Sequence, residues 1–533
     1  MSDFSGSAHV LAKWERYGAF TRCMHRGLGV KADEQQYDVI VVGSSLGGLA
    51  AGAMMANRGF SVAVVDAAPN PGGRMGATLQ NGYWIGWGQR DGLGSTDLAF
   101  IPHYIHKAAE LAGVTLKFAP LHKRFFRLHW LPEGSTSEMP AELVVSDGGD
   151  PLRSLREMVR CFSRVTAPSE VEPLAKELGQ VLATLRNTPQ EEAWKVVPCR
   201  LDDWLQRNVR NPTVRQILLQ QAECNPFTPA EETSVGRYIM HLNRVHGVAV
   251  VPNDDEVGGM QGVIHPWFRR LKELGAHFYL GWKPVEITTD NDEVTGLVAV
   301  NDGSLVKVFK SPIVIVDWPG WHMTDLIEER LLPRAFMTAA RATEEYATES
   351  ASWWAGLTRL PTIRSTGKME DLSSPWERLL YGNGSIKRFR GGFFYPSSFS
   401  PRSAPPGKHL LCVEAVGRGN QRGRQWRSWA EAKAVVDSMV GYLHEYYRDL
   451  EACTEWSAYQ NTTPPSISAW YTKPVLRHPV KIESIDGLYM ASASAEGDGS
   501  WIDIEACSAL LAVELAETER GHLCQRQVKQ PGP

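Results

Sequence analysis

Apolar and polar positions alternate between two periods along this chain, and the clearest stretch runs from Tyr37 to Gly92. Asp38 to Val42 is a short apolar run rich in β-branched residues, which predicts a buried strand. A glycine-rich turn follows, and Leu46 to Arg58 carries small and apolar residues in a helical pattern. Gly59 supplies the left-handed residue that ends a helix, and Ser61 to Val65 predicts a second buried strand ending in Asp66. The unit predicted is β-α-β.

Such a turn leaves backbone N–H groups unpaired at the helix start, where the helix dipole favours negative charge, so a pyrophosphate is the expected ligand. The turn reads Gly43, Ser44, Ser45, Leu46, Gly47, Gly48, which places Ser45 where the usual G-x-G-x-x-G has its second glycine. A Cβ and a hydroxyl therefore stand at the tightest point of the loop. Asp66 lies twenty-three residues after Gly43, close to the roughly 20-residue spacing at which an acid accepts a hydrogen bond from an adenosine ribose. Gly43, Ser45, Leu46, Gly48 and Asp66 are the first candidate cofactor residues.

Pro71-Gly72-Gly73-Arg74 comes next, followed by Asn81-Gly82-Tyr83-Trp84. At this point the chain resembles the two-domain flavoproteins that include phytoene desaturases, retinol saturases and amine oxidases, whose second motif is a Gly-Gly-Arg after the ribose acid. The resemblance implies an FAD cofactor, with Gly72, Gly73 and Arg74 along the flavin's ribityl and pyrophosphate. Glycine N–H groups and a permanently charged guanidinium suit a diphosphate.

Two later blocks carry the same resemblance. Gly258-Gly259-Met260, a helix over Val263 to Leu274, a strand over Ala276 to Leu280, and Lys283-Pro284-Val285-Glu286-Ile287 lead through a charged turn at Asp290 to Glu293 and a hairpin at Asp302-Gly303 to a buried strand, Ile313 to Val316. The resemblance implies that the Val285 backbone meets the adenine. Near the end, Ile485 to Ala491 predicts a strand and Ile502 to Leu515 a helix of small and apolar residues. Relatives place Gly-Asp after that strand, and this chain has Ser492 and Ala493. Gly497, Asp498 and Gly499 are the substitutes, with Glu496 the alternative acid to Asp498, Ile502 opening the helix whose N-terminus is implied to face the flavin, and Trp501 the side chain over the ring.

Between these blocks the pattern changes. Pro151 to Val209 is helical and charged, with Leu174, Leu178, Val181 and Leu185 at three- and four-residue spacing. Thr213 to Glu223 predicts a further amphipathic helix, and His241 and His246 follow it. Leu326 to Glu345 again predicts helix, then Trp353 to Thr358, Gly391 to Tyr395 and His409 to Val413 predict strands. A mixed sheet with helices on one face would form a roof over the flavin.

The fold class expected is α/β, a Rossmann-like FAD-binding domain interleaved with an α+β substrate domain. The divisions are an extension at 1–36, the FAD-binding domain at 37–150, 258–320 and 481–520, the substrate domain at 151–257 and 321–480, and a tail at 521–533.

Composition narrows the function. A chain of 533 residues with 22% charged and 43% hydrophobic residues is an ordinary multi-domain globular protein. A net charge of −4 argues against a nucleic-acid binder. Eight cysteines without a CxxC or a metal-ligand spacing indicate neither a disulfide framework nor a metal, and point to a reducing cytoplasm. Residues 10–30 place Leu11, Trp14, Tyr17, Phe20 and Met24 at helical spacing among Lys13, Arg16, Arg22 and Arg26. That pattern suits a helix docked on the body or on another subunit, or one lying on a membrane surface.

No nucleophile elbow or kinase signature competes with the flavin reading. The leading expectation is an FAD-dependent dehydrogenase that introduces a C=C bond into an apolar, isoprenoid or alicyclic small molecule and passes its electrons to an unspecified acceptor. Tyr83, Trp87 and Trp501 are the candidate pocket and catalytic residues. A flavin amine or alcohol oxidase is the alternative, and a non-redox prenyl-binding carrier of the Rab GDP-dissociation inhibitor type is the alternative outside enzymes.

Overall fold

Five short strands lie side by side in a parallel sheet: β1 (Val39–Val42), β2 (Val62–Asp66), β3 (His277–Leu280), β4 (Val314–Val316) and β5 (Leu488–Met490). Their order is β3-β2-β1-β4-β5, with every pair parallel. The computed structural model describes residues 33–86, 104–120, 125–131, 135–140, 152–163, 165–224, 233–244, 250–302, 305–344, 347–373, 377–381, 390–416, 428–467, 477–497 and 502–524. The inner strands read as unbroken apolar runs because both their faces are covered, so the sheet has no wet side to demand alternation.

Helices α1 (Leu46–Asn57), α2 (Gln261–Glu273) and α3 (Ile502–Arg520) cover this sheet. Leu46 to Ala56 of α1 are all buried. A helix that is apolar all round belongs inside, and the small residues of α1 let it approach closely. α1 packs against α2, α3 and the helix Tyr104–Ala112. One hydrophobic core is built from three stretches of chain, Tyr37 to Val114, Met260 to Ala340 and Val480 to Ala516.

A second sheet joins Asp33–Gln36, Val306–Lys310, Glu293–Asn301 and Trp282–Asp290. The charged turn between the last two in space holds Asn291 and Asp292 at φ 49° and 64°. Short polar side chains tolerate that left-handed conformation, which a tight hairpin requires.

The third sheet has seven strands in the order Thr454–Ile467, Ala347–Leu357, His409–Val416, Arg390–Phe394, Glu377–Tyr381, Phe125–Leu131, Ser135–Pro140. Only the Glu377–Tyr381 and Phe125–Leu131 pair is parallel, which makes the sheet mixed, as expected. The helix Trp429–Tyr446 covers one face through Val436, Met439 and Leu443, against Trp353, Phe393 and Val413. Helices between Arg153 and Arg244 share a separate core that includes Leu178, Leu205, Ile217 and Tyr238.

One expected helix is shorter than its pattern. Over Leu326 to Glu345, the α-helix is confined to Arg334–Glu344 and follows 3-10 turns at Gly320–Asp325 and Glu329–Leu331. Pro333 stands just before it. Proline disfavours helical backbone in the residue ahead of it and lacks an N–H, so the helix starts after it. Among the described residues, no helix is long and apolar enough to cross a membrane.

Candidate functional site

β1 ends at Val42 and the chain turns at Gly43, whose φ is +100° and whose N–H donates to the Val65 carbonyl at 2.9 Å. This turn lies at the carboxyl edge of the sheet where the strand order reverses between β1 and β4, the place at which open parallel sheets bind ligands. Ser44 donates to Asp66 Oδ2 twice, from its N–H at 2.7 Å and its hydroxyl at 2.6 Å. Asp66 Oδ1 accepts from the Ala68 N–H at 2.8 Å. Asp66 therefore braces the loop from the end of β2. Burial raises its pKa, and the bonds from Ser44 and Ala68 oppose that rise.

Ser45 stands at the N-cap of α1 with extended backbone, but its side chain does not cap the helix. Its hydroxyl donates instead to Asp317 Oδ2 at 2.5 Å, and the same oxygen accepts from the Gly48 N–H at 2.8 Å. A carboxyl from another strand thus caps α1. Asp317 directly follows β4 just as Asp66 closes β2, and it is 8% exposed. Burial holds its pKa well above the ordinary carboxyl value, the negative charge of Glu505 adds to the rise, and the bonds from Ser45 and Gly48 resist it.

The Gly-Gly-Arg turn packs directly on this loop. The Gly72 N–H donates to the Ser44 carbonyl at 2.8 Å. Gly73 has φ +52°, and a Cβ on it would lie 2.5 Å from that of Ser45. Arg74 pairs with Glu505 in the first turn of α3, and Glu505 is 3% exposed on its side chain. Burial, with Arg237 and Arg74 nearby, pushes Arg477 down to about 9.

The remaining candidates fall in several places. Val285 is buried with Val298 and Val300 in the second sheet. Leu46 and Ile502 are buried first residues of α1 and α3. Gly497 lies so near α3 that a Cβ would be 2.9 Å from the Ile504 carbonyl oxygen. Ser492, in the Gly-Asp position, shares a hydrogen bond with Ser494, which in turn meets His478 Nε2 at 2.8 Å. The Tyr83 ring is fully buried, edge-on to Trp456, and its hydroxyl donates to Glu455 at 2.6 Å. It belongs to a cluster with Ile85, Trp354, Phe394 and Leu410, between its own hairpin and the seven-stranded sheet. Trp87, Asp498, Gly499, Trp501, His246, the His241 side chain and residues 10–30 lie outside the described residues.

Sequence reasoning missed Asp317, Glu505 and Arg477. The signal for Asp317 was present, since Ile313 to Val316 is a buried strand followed at once by an acid, the same pattern that singled out Asp66.

The loop fits a dinucleotide diphosphate. The N–H groups of Ser45, Leu46 and Gly47 have no hydrogen-bond acceptor among the described residues, and such a row at a helix start attracts phosphate. Glycine is required around it. A Cβ on Gly47 would lie 1.9 Å from the Ala491 carbonyl oxygen, and one on Gly48 2.5 Å from that of Gly43. Buried polar atoms also remain unpartnered here, Arg477 Nη1 and Glu505 Oε2.

Comparison with known proteins agrees. A family model described as FAD binding domain matches residues 38–358. No curated protein matches the chain at the sequence level. Among solved structures, an oxidoreductase from Methanosarcina mazei superposes with a TM-score of 0.59 at 16% identity, covering 90% of this chain and 100% of that one. Putrescine oxidase bound to putrescine superposes with a TM-score of 0.55 at 15% identity, covering 90% and 99%. Cyclohexylamine oxidase from Brevibacterium oxydans gives 0.52 at 14% identity, covering 91% and 99%. At these identities the likeness is one of fold.

Proposed function

The chain belongs to the FAD binding domain family and is an FAD-dependent oxidoreductase; from that premise we propose that it dehydrogenates a C–C bond of an apolar, isoprenoid or alicyclic substrate. The chemistry a bound flavin supplies is acceptance of a hydride from a substrate carbon. The chain's own part is to seat the diphosphate on the amides of Ser45, Leu46 and Gly47, with Arg74 and Arg477 as nearby cations, and to exclude water from the reacting carbon.

What supports the substrate class is the buried apolar cluster of Tyr83, Ile85, Trp354, Phe394, Leu410 and Cys412, packed with Phe399 and Trp456, which would back the substrate site as its inner wall. The sheet behind this wall reaches the cofactor loop, because its edge strand Thr454–Ile467 packs against the 3-10 turn Gly73–Met75. An ammonium substrate would need a carboxylate free to receive it. One carboxylate bordering this wall, Glu455, is engaged by Tyr83 at 2.6 Å and by Lys408 at 2.6 Å, and another, Glu414, is buried on the strand that carries Leu410 and Cys412. A hydrocarbon needs no such partner.

Anaerobic mixing of the FAD-loaded protein with isoprenoid and alicyclic compounds tests this. Bleaching of the flavin band with appearance of a new C=C bond supports the proposal. Bleaching by primary amines or alcohols alone, with peroxide released in air, supports an oxidase instead. The carrier alternative is supported by a prenyl ligand that binds without any change in the flavin spectrum.

A further inference from the structure

Asp317 is placed where a carboxylate and a diphosphate compete. Its Oδ2 takes the Gly48 amide and the Ser45 hydroxyl at the start of α1, beside the N–H groups of Ser45, Leu46 and Gly47 that are left for phosphate. The surroundings are acidic. Asp66 faces it from β2 and Glu505 from α3, and the ends of α1 and β5 add the polar backbone of Gly48 and Ala491. Of the two cations nearby, Arg74 is already paired with Glu505, and Arg477, held down to about 9 chiefly by burial, faces Arg74 and Glu505; Glu505 keeps a buried oxygen without a partner. No hydrogen bond or ion pair joins Asp317 to a cation among the described residues. An ionised Asp317 would therefore add a third buried negative charge beside a ligand that brings its own, and like charges at such range do not ionise together.

We propose that Asp317 is a cofactor-affinity residue: its carboxyl shares the phosphate-facing end of α1 with the FAD diphosphate and is neutral when the diphosphate is seated, so FAD binding takes up a proton from solvent at any pH where the free protein holds Asp317 ionised. The proposal rests on the flavin reading of this loop. In the protonated form the Oδ2 atom still accepts from Gly48 and Ser45, so the loop keeps its shape while the site loses a negative charge. Burial and the charge of Glu505 already favour that form in the free protein.

The test is FAD binding to flavin-free full-length protein, followed by quenching of flavin fluorescence from about pH 6 to pH 9. The wild type is expected to lose affinity toward about tenfold per pH unit above the pKa of free Asp317, the limit for one linked proton. Asp317→Asn, which keeps an acceptor for Ser45 and Gly48 but cannot ionise, is expected to bind with a flatter profile and more tightly than wild type at the alkaline end. Calorimetry of wild type at the alkaline end, in buffers of different protonation heat, is expected to show net proton uptake, and this decides the matter if the variant does not fold. Parallel pH profiles, or binding without proton uptake, overturn the proposal and leave the flavin reading intact. Absence of FAD binding by wild type at every pH overturns the flavin reading and the proposal with it.

Discussion

Gly73 and Ser45 are fitted to each other: a Cβ on Gly73 would stand 2.5 Å from the Cβ of Ser45, well inside van der Waals contact. The serine that replaces a glycine in the first motif is accommodated because the facing residue of the second motif has no side chain. Gly73→Ala should therefore weaken FAD binding at least about tenfold and destabilise the protein by about 1–3 kcal/mol, from the clash and from the +52° φ together. Ser45→Gly in the same chain should restore part of the affinity, because it removes the atom struck but not the backbone strain. Fluorescence titration of FAD and thermal unfolding of both variants check this.

A second pair of glycines separates crowding from helix propensity. Gly47 would drive a Cβ to 1.9 Å from the Ala491 carbonyl oxygen, whereas Gly441, exposed on the helix Trp429–Tyr446, has nothing within 4 Å. Gly47→Ala should cost about 3 kcal/mol, because backbone rather than a movable side chain blocks it. Gly441→Ala should stabilise by about 0.5–1 kcal/mol through lower backbone entropy of the unfolded chain. Denaturant unfolding of both variants would reveal equal effects if local packing were unimportant.

Arg74 and Glu505 form the next testable unit. Arg74→Gln leaves a carboxylate of 3% side-chain exposure without its cation, and should destabilise by about 2 kcal/mol; Arg74 itself retains 19% exposure, so the loss is smaller than for a fully buried pair. Adding Glu505→Gln should return most of that stability. Recovery absent from the double variant would show that Arg74 acts through other contacts.

The parts of this site legible in the sequence are those made by neighbours in the chain. The strand before Gly43, the small residues of α1 and the position of Asp66 all follow from local periodicity and spacing. Asp317 reaches the same loop from 272 residues beyond Ser45, and only the order β1-β4 in the sheet brings it there. Glu505 likewise depends on how α3 packs against α1. Three strands of the seven-stranded sheet, those near Trp353, Gly391 and His409, were visible as apolar runs, but their neighbours were not, since pairing of Phe125–Leu131 with Glu377–Tyr381 joins segments far apart in sequence. Tyr83 illustrates the same limit: an aromatic cluster in sequence does not reveal that its ring is fully buried against Trp354 and Phe394.

Two buried histidines should make stability fall in acid. Burial pushes His478 down from 6.5 to about 4 and His129 down from 6.5 to about 3. Both are neutral in the folded state while the unfolded chain binds protons below 6.5. Their contribution is complete above pH 6.5 and is lost as pH falls toward 4 and 3, with a limiting slope of about 1.4 kcal/mol per pH unit for each. Asp66 and Asp317, whose pKa values are raised, act in the opposite sense over this range. The comparison that isolates the effect is therefore wild type against His129→Gln, whose unfolding midpoint should depend less steeply on pH. Identical slopes would contradict it.

The most direct test of the whole account is titration of flavin-free protein with FAD, read by the visible spectrum, for wild type beside Gly73→Ala. The cradle built from Gly43 to Gly48 and Gly72 to Arg74 predicts stoichiometric uptake of FAD by wild type, with the shifted absorbance of a bound flavin, and markedly weaker uptake by the variant. A wild-type protein that takes up no FAD, or a variant that binds it equally well, would contradict the assignment of that cradle.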